Sequence, residues 1–252
     1  MNFLQVLLLS FIQGFTEFLP ISSSGHLSLF EILWQIKNPL FLTVILHFGS
    51  LLAIALFFFN DIKKILFKNR ELIIKILIAT FPLIPAVFAL QKLENYFSNL
   101  KIVTVGFFIT GLFLLMTKFI KNPNKNLLSL TYLDSFFIGL AQLLAILPGF
   151  SRSGLTISTG LFLKNNPQDS FKFSFLLSLP AILGSSILEM RKIFLLKEIS
   201  FPFPLILFGL CFSFLFSYFS LLILKKILIQ NKLFYFSFYL FSLSLIILFV
   251  IL

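Results

Sequence analysis

Charged residues are scarce in this chain of 252 residues. Only 12% are Asp, Glu, Lys or Arg, whereas 59% are hydrophobic, and the mean hydropathy is +1.05. A soluble domain usually has about a quarter of its residues charged. The scarcity therefore excludes an ordinary water-soluble domain, and we expect an integral membrane protein.

Acidic residues are scarcer still, with nine against twenty Lys and Arg, and the formal net charge is +11. An excess of this size can indicate nucleic-acid binding. Here, however, most of the cations are Lys in short runs between apolar segments. That pattern is typical of topology signals and lipid head-group contacts. We therefore expect membrane lipids, and no nucleic acid, among the partners.

Cysteine and histidine are nearly absent. Cys211 is the single cysteine, and His26 and His47 are the only histidines. One cysteine cannot form an intramolecular disulfide and offers no second thiol to a metal. The sequence therefore excludes a disulfide framework and a thiolate metal centre.

Long apolar runs, by contrast, are plentiful. A helix that spans a bilayer needs about 20 mostly apolar residues. Six stretches meet this length, and connectors that contain lysine separate them. They are Leu40–Phe59, Glu71–Leu90, Lys101–Ile120, Ser170–Met190, Pro202–Leu224 and Leu233–Leu252. The sequence therefore predicts an all-α polytopic membrane protein with six transmembrane helices.

Two further apolar regions are interrupted by Pro, Ser and Gly. Asn2–Leu19 runs into "PISSSG" and resumes at Ser22–Trp34, and Tyr132–Leu147 runs into "PGFSRSG" and resumes as far as Leu163. Within a membrane, a broken helix is tolerated where protein or a water-filled cavity satisfies its backbone. Because the second arms are short, we interpret both regions as re-entrant helix–break–helix hairpins. Ordinary spans with kinks are the alternative.

The two breaks match each other at one offset. Gln13 and Ser22 correspond to Gln142 and Ser151, each 129 residues later. In both halves one hairpin precedes three spans, and three spans place the second copy upside down in the membrane. The sequence therefore predicts a single integral membrane domain, 1–252, made of an inverted-topology repeat. The first copy is about 1–120 and the second about 121–252.

Lysine and arginine also predict the orientation. Thirteen of them lie near the loops at 60–70, 118–126, 164–172 and 225–232, and six lie near the opposite loops. Positive charge favours the cytoplasmic side. We therefore expect both termini, and access to the first hairpin, on the outer side.

Glu17 is the one acidic residue deep in an apolar segment, next to the first break. An intramembrane carboxylate is a candidate functional residue. Gln13 lies one helical turn earlier on the same face. Together their oxygens suit a divalent cation or a reacting hydroxyl. The alternative is that Glu17 only forms a structural ion pair with Arg152.

Arg152 lies at the second break, where a half-helix begins. Its planar guanidinium suits phosphate, and a helix N-terminus adds free N–H groups. A candidate anion site therefore comprises Ser22, Ser24, Ser151, Arg152, Ser153, Gly154 and Thr156. A purely structural pair with Glu17 is again the alternative.

His26 directly follows Ser22, Ser23, Ser24 and Gly25. It could serve as general base, general acid or nucleophile, and Ser23 as a nucleophile. His47, in "ILHFGS", has no comparable cluster of serines around it, and we interpret it as a buried hydrogen-bonding residue with only a weak claim on the site. The candidate catalytic residues are therefore Glu17, Ser23, His26 and Arg152.

The motifs "QGFTEFLPISSSGH" and "LPGFSRSGLTIS" resemble the two signatures of the undecaprenyl-diphosphate phosphatases, also called bacitracin-resistance proteins. The resemblance covers essentially the whole chain, including "FPLIPAVFA" and "FSFLLSLPAILG". It implies an enzyme of the bacterial inner membrane that hydrolyses undecaprenyl diphosphate to undecaprenyl phosphate and inorganic phosphate. The product is a lipid carrier for peptidoglycan and other wall polymers.

The resemblance also implies Mg²⁺ or Ca²⁺ as cofactor, with Glu17 and Gln13 as metal-binding positions. Family members have Glu or Gln at the position of Gln13, so this chain has one carboxylate there instead of two. By position, the residues that match the family's catalytic and phosphate-binding positions are Glu17, Ser22, Ser23, His26, Ser151, Arg152, Ser153 and Thr156. A homodimer stays open.

Three other functions are alternatives to this phosphatase. A type 2 phosphatidic-acid phosphatase does not fit, because no Arg precedes a Pro and Ser158 takes the place of the second His. A transporter or flippase for polyprenyl-phosphate lipids could use the anion site alone. An inactive paralogue would not need the complete set of Glu17, Ser23, His26 and Arg152.

Overall fold

The computed structural model describes residues 1–34, 40–86, 99–196 and 201–251. Within them the chain forms eleven α-helices and no strand, apart from one isolated bridge between Lys125 and Asn165. The predicted all-α class is confirmed. The helices are α1 (Phe3–Phe18), α2 (Ser23–Trp34), α3 (Leu40–Phe57), α4 (Phe59–Lys68), α5 (Arg70–Thr80), α6 (Leu100–Met116), α7 (Tyr132–Leu144), α8 (Arg152–Phe162), α9 (Pro167–Leu196), α10 (Phe203–Ile229) and α11 (Tyr235–Ile246).

Four of these helices are long and apolar enough to cross a membrane. They are α3, α9, α10 and α6, the last together with the 3₁₀ turn that extends it to Phe119. Their outer faces carry many exposed large apolar side chains, as expected where lipid is the solvent. The chain is therefore a multi-pass membrane protein.

Two of the six predicted stretches form shorter helices. The helix predicted over Glu71–Leu90 ends at Thr80 as α5, and Phe81 caps it. Pro82 follows and cannot donate the backbone hydrogen bond that would continue α5. After this two-residue turn, residues 83–86 are helical again. Residues 87–90 of that stretch lie outside the described part. The last stretch begins as α11 and continues as a π-helical turn, Ile247–Ile251.

Both predicted helix breaks are present. The first lies between α1 and α2, with Leu19 in an extended conformation and Ser22 at a φ of 70°. The second lies between α7 and α8, with Gly149 at a φ of 87°. The arms of each pair pack on each other. Helix–break–helix geometry is therefore confirmed, while re-entry from one side of the membrane stays a prediction.

The two halves of the chain make the same helix pairings. From the first half, α1 and α3 pack on α10 of the second half. Correspondingly, α7 and α9 of the second half pack on α5 of the first. At the centre α3 packs on α9 and α6 on α11, so each half contributes one helix to each pair. This arrangement brings both breaks to the interior. The boundary near residue 120 and the inversion of the second copy stay predictions.

Three glycines let the breaks approach each other. A Cβ atom on Gly25 would lie 2.6 Å from the ring of Phe107 and 3.0 Å from Gly149 Cα. A Cβ on Gly106 would lie 2.6 Å from the backbone of Gly149. Any larger residue here would push α2, α6 and the second break apart. The glycine junction, defined as Gly25, Gly106 and Gly149, therefore holds the two breaks together.

Gly149→Ala tests this junction. Its positive φ disfavours a side chain, and the new Cβ would lie 2.2 Å from Val103 O. We expect a loss of at least ~1–2 kcal/mol in the free energy of unfolding, measured by thermal unfolding in detergent. Gly184→Ala is the matched control, because nothing lies within 4 Å of its Cβ position. Equal effects of the two substitutions would contradict the junction.

Candidate active site

Glu17 is the centre of the polar cluster. It lies in the last turn of α1, and its side chain is only 8% exposed. Oε1 accepts a hydrogen bond from Arg152 Nη2. Oε2 accepts one from Ser23 Oγ at 2.6 Å and one from Gln13 Nε2 at 3.2 Å. A carboxylate in an apolar protein is tolerated because both of its oxygens have donors.

Gln13 is the predicted neighbour of Glu17 on α1. Its side chain is fully buried, and its second amide atom, Oε1, has no hydrogen-bond partner in the described structure. The N and O of an amide are assigned from the hydrogen bonds they make, and the group can turn over. Gln13 can therefore turn either a donor or an acceptor towards Glu17.

Arg152 is the first residue of α8 and joins the two breaks. Nη2 forms the ion pair with Glu17, and the Arg152 side chain is 14% exposed. Nη1 is buried and has no hydrogen-bond partner among the residues that the structure describes. The expected ion pair is therefore present, yet it uses only one side of the guanidinium fork. The other side is left for a ligand oxygen.

The serines form the same cap at both breaks. At the first, Ser22 Oγ accepts from Gly25 N and pairs with Ser24 Oγ, both at 3.3 Å. At the second, Ser151 Oγ accepts from Gly154 N at 3.1 Å and pairs with Ser153 Oγ at 3.2 Å. These caps satisfy one N–H near each helix start. The N-termini of α2 and α8 thus both face the cluster around Glu17.

Ser153 and Thr156 hold the second hairpin in place. Ser153 Oγ donates to Leu19 O at 3.3 Å, across the gap to the first break. Thr156 Oγ1 donates to Arg152 O at 2.7 Å and pairs with Ser174 Oγ at 2.6 Å. Thr156 therefore fixes the backbone behind Arg152 and joins it to α9.

His26 lies close to the cluster without bonding to Glu17. Nδ1 lies 2.7 Å from Ser22 O, and Nε2 lies 2.7 Å from the hydroxyl of Tyr239. A carbonyl oxygen only accepts, so Nδ1 carries a proton. In the neutral ring Nε2 then has the free electron pair, which a general base or a nucleophile requires.

His47 was missed as a site residue by sequence reasoning. Its Nε2 lies 3.9 Å from Glu17 Oε2, while its Nδ1 lies 2.9 Å from Thr43 O. The hydrogen-bonding role predicted for His47 is confirmed by the contact with Thr43. What sequence reasoning missed is that His47 lies next to Glu17. An ionisable side chain within a long apolar helix was the signal that could have identified it.

Tyr239 is the other residue that the sequence did not reveal. It comes from α11 and bonds to His26 across 213 positions of the chain. A tyrosine in an apolar helix is unremarkable in sequence, so no pattern marked it. The structure thus adds His47 and Tyr239 to the predicted set.

Fold and site together define a polytopic membrane protein with a charged, hydroxyl-rich site between two helix breaks. Comparison with known proteins makes this more specific. The family model described as bacitracin resistance protein BacA matches residues 6–246. The chain belongs to this family, as the two motifs indicated.

Relatives in this family resemble the chain over nearly its full length. The undecaprenyl-diphosphatase of Thermosipho africanus is 41% identical, over 92% of this chain and 94% of that protein. The undecaprenyl-diphosphatase of Thermotoga petrophila is 35% identical, over 92% of this chain and 94% of that protein. The one of Methanococcus vannielii is 36% identical, over 97% of this chain and 99% of that protein.

The buried Glu17–Arg152 pair should contribute more to the free energy of unfolding than the partly exposed Asp61–Lys172 pair. Arg152→Gln leaves a buried carboxylate without its cation, so we expect a loss of about 3 kcal/mol in the free energy of unfolding. Lys172→Gln removes the partner of Asp61, where both side chains are about 30% exposed. There we expect less than about 1 kcal/mol. Thermal unfolding in detergent measures both.

The double variant Glu17→Gln, Arg152→Gln is the control. It removes both charges, so it should recover most of the stability that Arg152→Gln loses. Additive losses would show that the pair is not the reason for the effect.

Proposed function

We propose that this protein hydrolyses undecaprenyl diphosphate to undecaprenyl phosphate and inorganic phosphate. The observation that carries the proposal is that one site contains both an anion-binding group and a nucleophile with its base. The anion-binding group is Arg152, whose Nη1 has no partner among the described residues. The nucleophile and base are Ser23 and Glu17, which are joined by a hydrogen bond. The names of the relatives support this substrate, and nothing found supports a transporter or flippase. The reaction would recycle the lipid carrier of cell-wall synthesis.

The diphosphate would lie between the two breaks. Arg152 holds its oxygens, assisted by the N-terminal N–H groups of α2 and α8. The hydroxyls of Ser22, Ser24, Ser151 and Ser153 line these N-termini, and Gly154 keeps α8 free of a side chain there. The isoprenyl chain would lie along the apolar helices. Positioning and charge neutralisation then supply most of the catalysis.

Ser23 is the nucleophile that the geometry favours. Its hydroxyl already donates to Glu17 Oε2 at 2.6 Å. Arg152 would bind the phosphate through Nη1, while Nη2 keeps its pair with Glu17 Oε1 and leaves Oε2 to Ser23. Ser23 Oγ then bonds to the terminal phosphorus, Glu17 takes the proton, and the bond to the bridging oxygen breaks. His26 would activate the water that releases phosphate from Ser23.

Direct attack by His26 or by water is the alternative. Turnover stopped by denaturation, followed by mass spectrometry, separates the three routes. A phosphorylated Ser23 supports the step above. A phosphorylated His26, or no phosphorylated residue at all, overturns it.

A divalent cation, Mg²⁺ or Ca²⁺, fits Gln13 and Glu17. Among the described residues no group of three His, Cys, Asp or Glu could hold a metal, so a site needs the Gln13 amide oxygen. That atom is buried and unpartnered, as a missing ligand would leave it. His47 Nε2 lies beside Glu17 as a further donor. When bound, the cation would neutralise charge on the phosphate oxygens.

The surroundings of the protein complete the proposal. The lysine-rich loops favour the cytoplasmic side of a bacterial inner membrane, with the site open to the periplasmic side. The net charge then serves membrane topology, with no nucleic acid as partner. A homodimer is compatible with the exposed apolar helices. The two matching breaks support an inverted repeat of about 1–120 and 121–252.

Phosphate release from undecaprenyl diphosphate by detergent-purified protein is the direct test. We expect release in the presence of Mg²⁺ and a loss of about 10²–10³-fold in kcat/KM for Arg152→Ala, since one pre-organised donor to the reacting phosphate is removed. Arg70→Ala is the control, because Arg70 is exposed at the start of α5. Wild-type protein that binds the lipid without releasing phosphate would refute the proposed activity.

Gln13→Glu tests the cation. A second carboxylate raises the charge of the donor set, so we expect the concentration of Mg²⁺ for half-maximal effect to fall about tenfold. The measurement is the thermal stabilisation of the protein by Mg²⁺ without substrate. Gln142→Glu, at the equivalent buried position of the second break, should show no such gain. An unchanged Mg²⁺ response in Gln13→Glu would place the cation elsewhere.

A further inference from the structure

The contact between Tyr239 and His26 is the most specific feature that the proposed function leaves unused. The Tyr239 hydroxyl lies 2.7 Å from His26 Nε2, and the two rings stack with 5.8 Å between centroids and 8° between planes. Phe107 contacts the same imidazole edge-on at 5.3 Å. His26 is thus held between two aromatic rings, one of which bonds to it.

The direction of this hydrogen bond follows from the other side of the ring. Ser22 O takes the proton of Nδ1, so Nε2 of the neutral imidazole can only accept. Tyr239 is therefore the donor. Its hydroxyl occupies the one electron pair with which His26 could act on water or phosphorus.

Tyr239 is the more exposed partner of this contact. His26 is only 7% exposed, whereas Tyr239 is 46% exposed at the surface of α11. α11 itself is held against α6, where Ser244 Oγ donates to Thr104 O at 3.3 Å. α11 is thus packed on α6, and the exposed side of Tyr239 leaves its side chain room to turn away from Nε2.

We propose that Tyr239 covers His26 Nε2 between turnovers and transfers its hydrogen bond to a phosphate oxygen when the lipid diphosphate arrives. A hydrogen bond to a charged phosphate is stronger than one to a neutral imidazole. The exchange is therefore favourable, and it leaves the free pair of Nε2 available only when substrate is present. The first half of this inference, the cover of Nε2, rests on the structure without substrate alone. The second half, the transfer of the hydrogen bond to phosphate, rests on the proposed phosphatase activity.

The first half is tested without substrate by diethylpyrocarbonate, which modifies neutral imidazole. The chain has only two histidines, so mass spectrometry reads His26 and His47 separately. In Tyr239→Phe the ring remains and the hydroxyl is lost. We expect His26 to be modified about threefold faster or more, with His47 unchanged. Tyr235→Phe is the matched control, because Tyr235 lies one turn earlier on α11 and stacks on Phe234 instead.

The second half is tested with undecaprenyl diphosphate. Because Tyr239→Phe lacks the donor to the phosphate, we expect KM to rise about fivefold while kcat changes less than twofold. A loss of kcat at constant KM, or no change in KM, would overturn the transfer to phosphate. An unchanged rate of His26 modification would overturn the cover. If the wild-type protein releases no phosphate, the proposed function fails, and the modification experiment still decides the cover.

Discussion

The ion pair between Glu17 and Arg152 is the interaction on which the site depends. In an apolar helical protein neither charge is tolerable alone, so each fixes the position of the other and thereby of the helix end that carries it. Because Glu17 ends α1 and Arg152 begins α8, the pair determines how the two halves of the chain meet. Ser23 and Gln13 then satisfy the remaining acceptor sites of the carboxylate.

Close backbone packing makes this pair possible. The glycine junction removes the side chains that would separate α2, α6 and the second break. The serine caps, in turn, satisfy a backbone N–H group at the start of α2 and of α8, since hydroxyls supply the partners that a bilayer cannot. Function and folding thus use the same residues here. A substitution at the junction would be expected to move Arg152 away from Glu17 as well as loosen the fold.

Much of this arrangement could be predicted from the sequence. Glu17, Arg152 and both breaks stand out because polar residues and proline are rare in apolar segments, and the helix bounds at the breaks agree within a few residues. The end of α5 at Thr80 was not predicted, because hydropathy continues past the prolines. His47 and Tyr239 were missed for a different reason. Their partners lie 30 and 213 positions away in the chain, and only the packing of α3 and α11 brings them together.

The matching caps have a consequence for how the chemistry is divided. With the offset of 129 residues, Ser23 and Arg152 occupy the same place in their respective caps, one residue after the serine that accepts from the glycine N–H. The same position of the cap therefore carries a proton-donating hydroxyl at the first break, on Ser23, and a permanent cation at the second break, on Arg152. Two matching helix caps therefore differ in their chemistry through a single side chain in each.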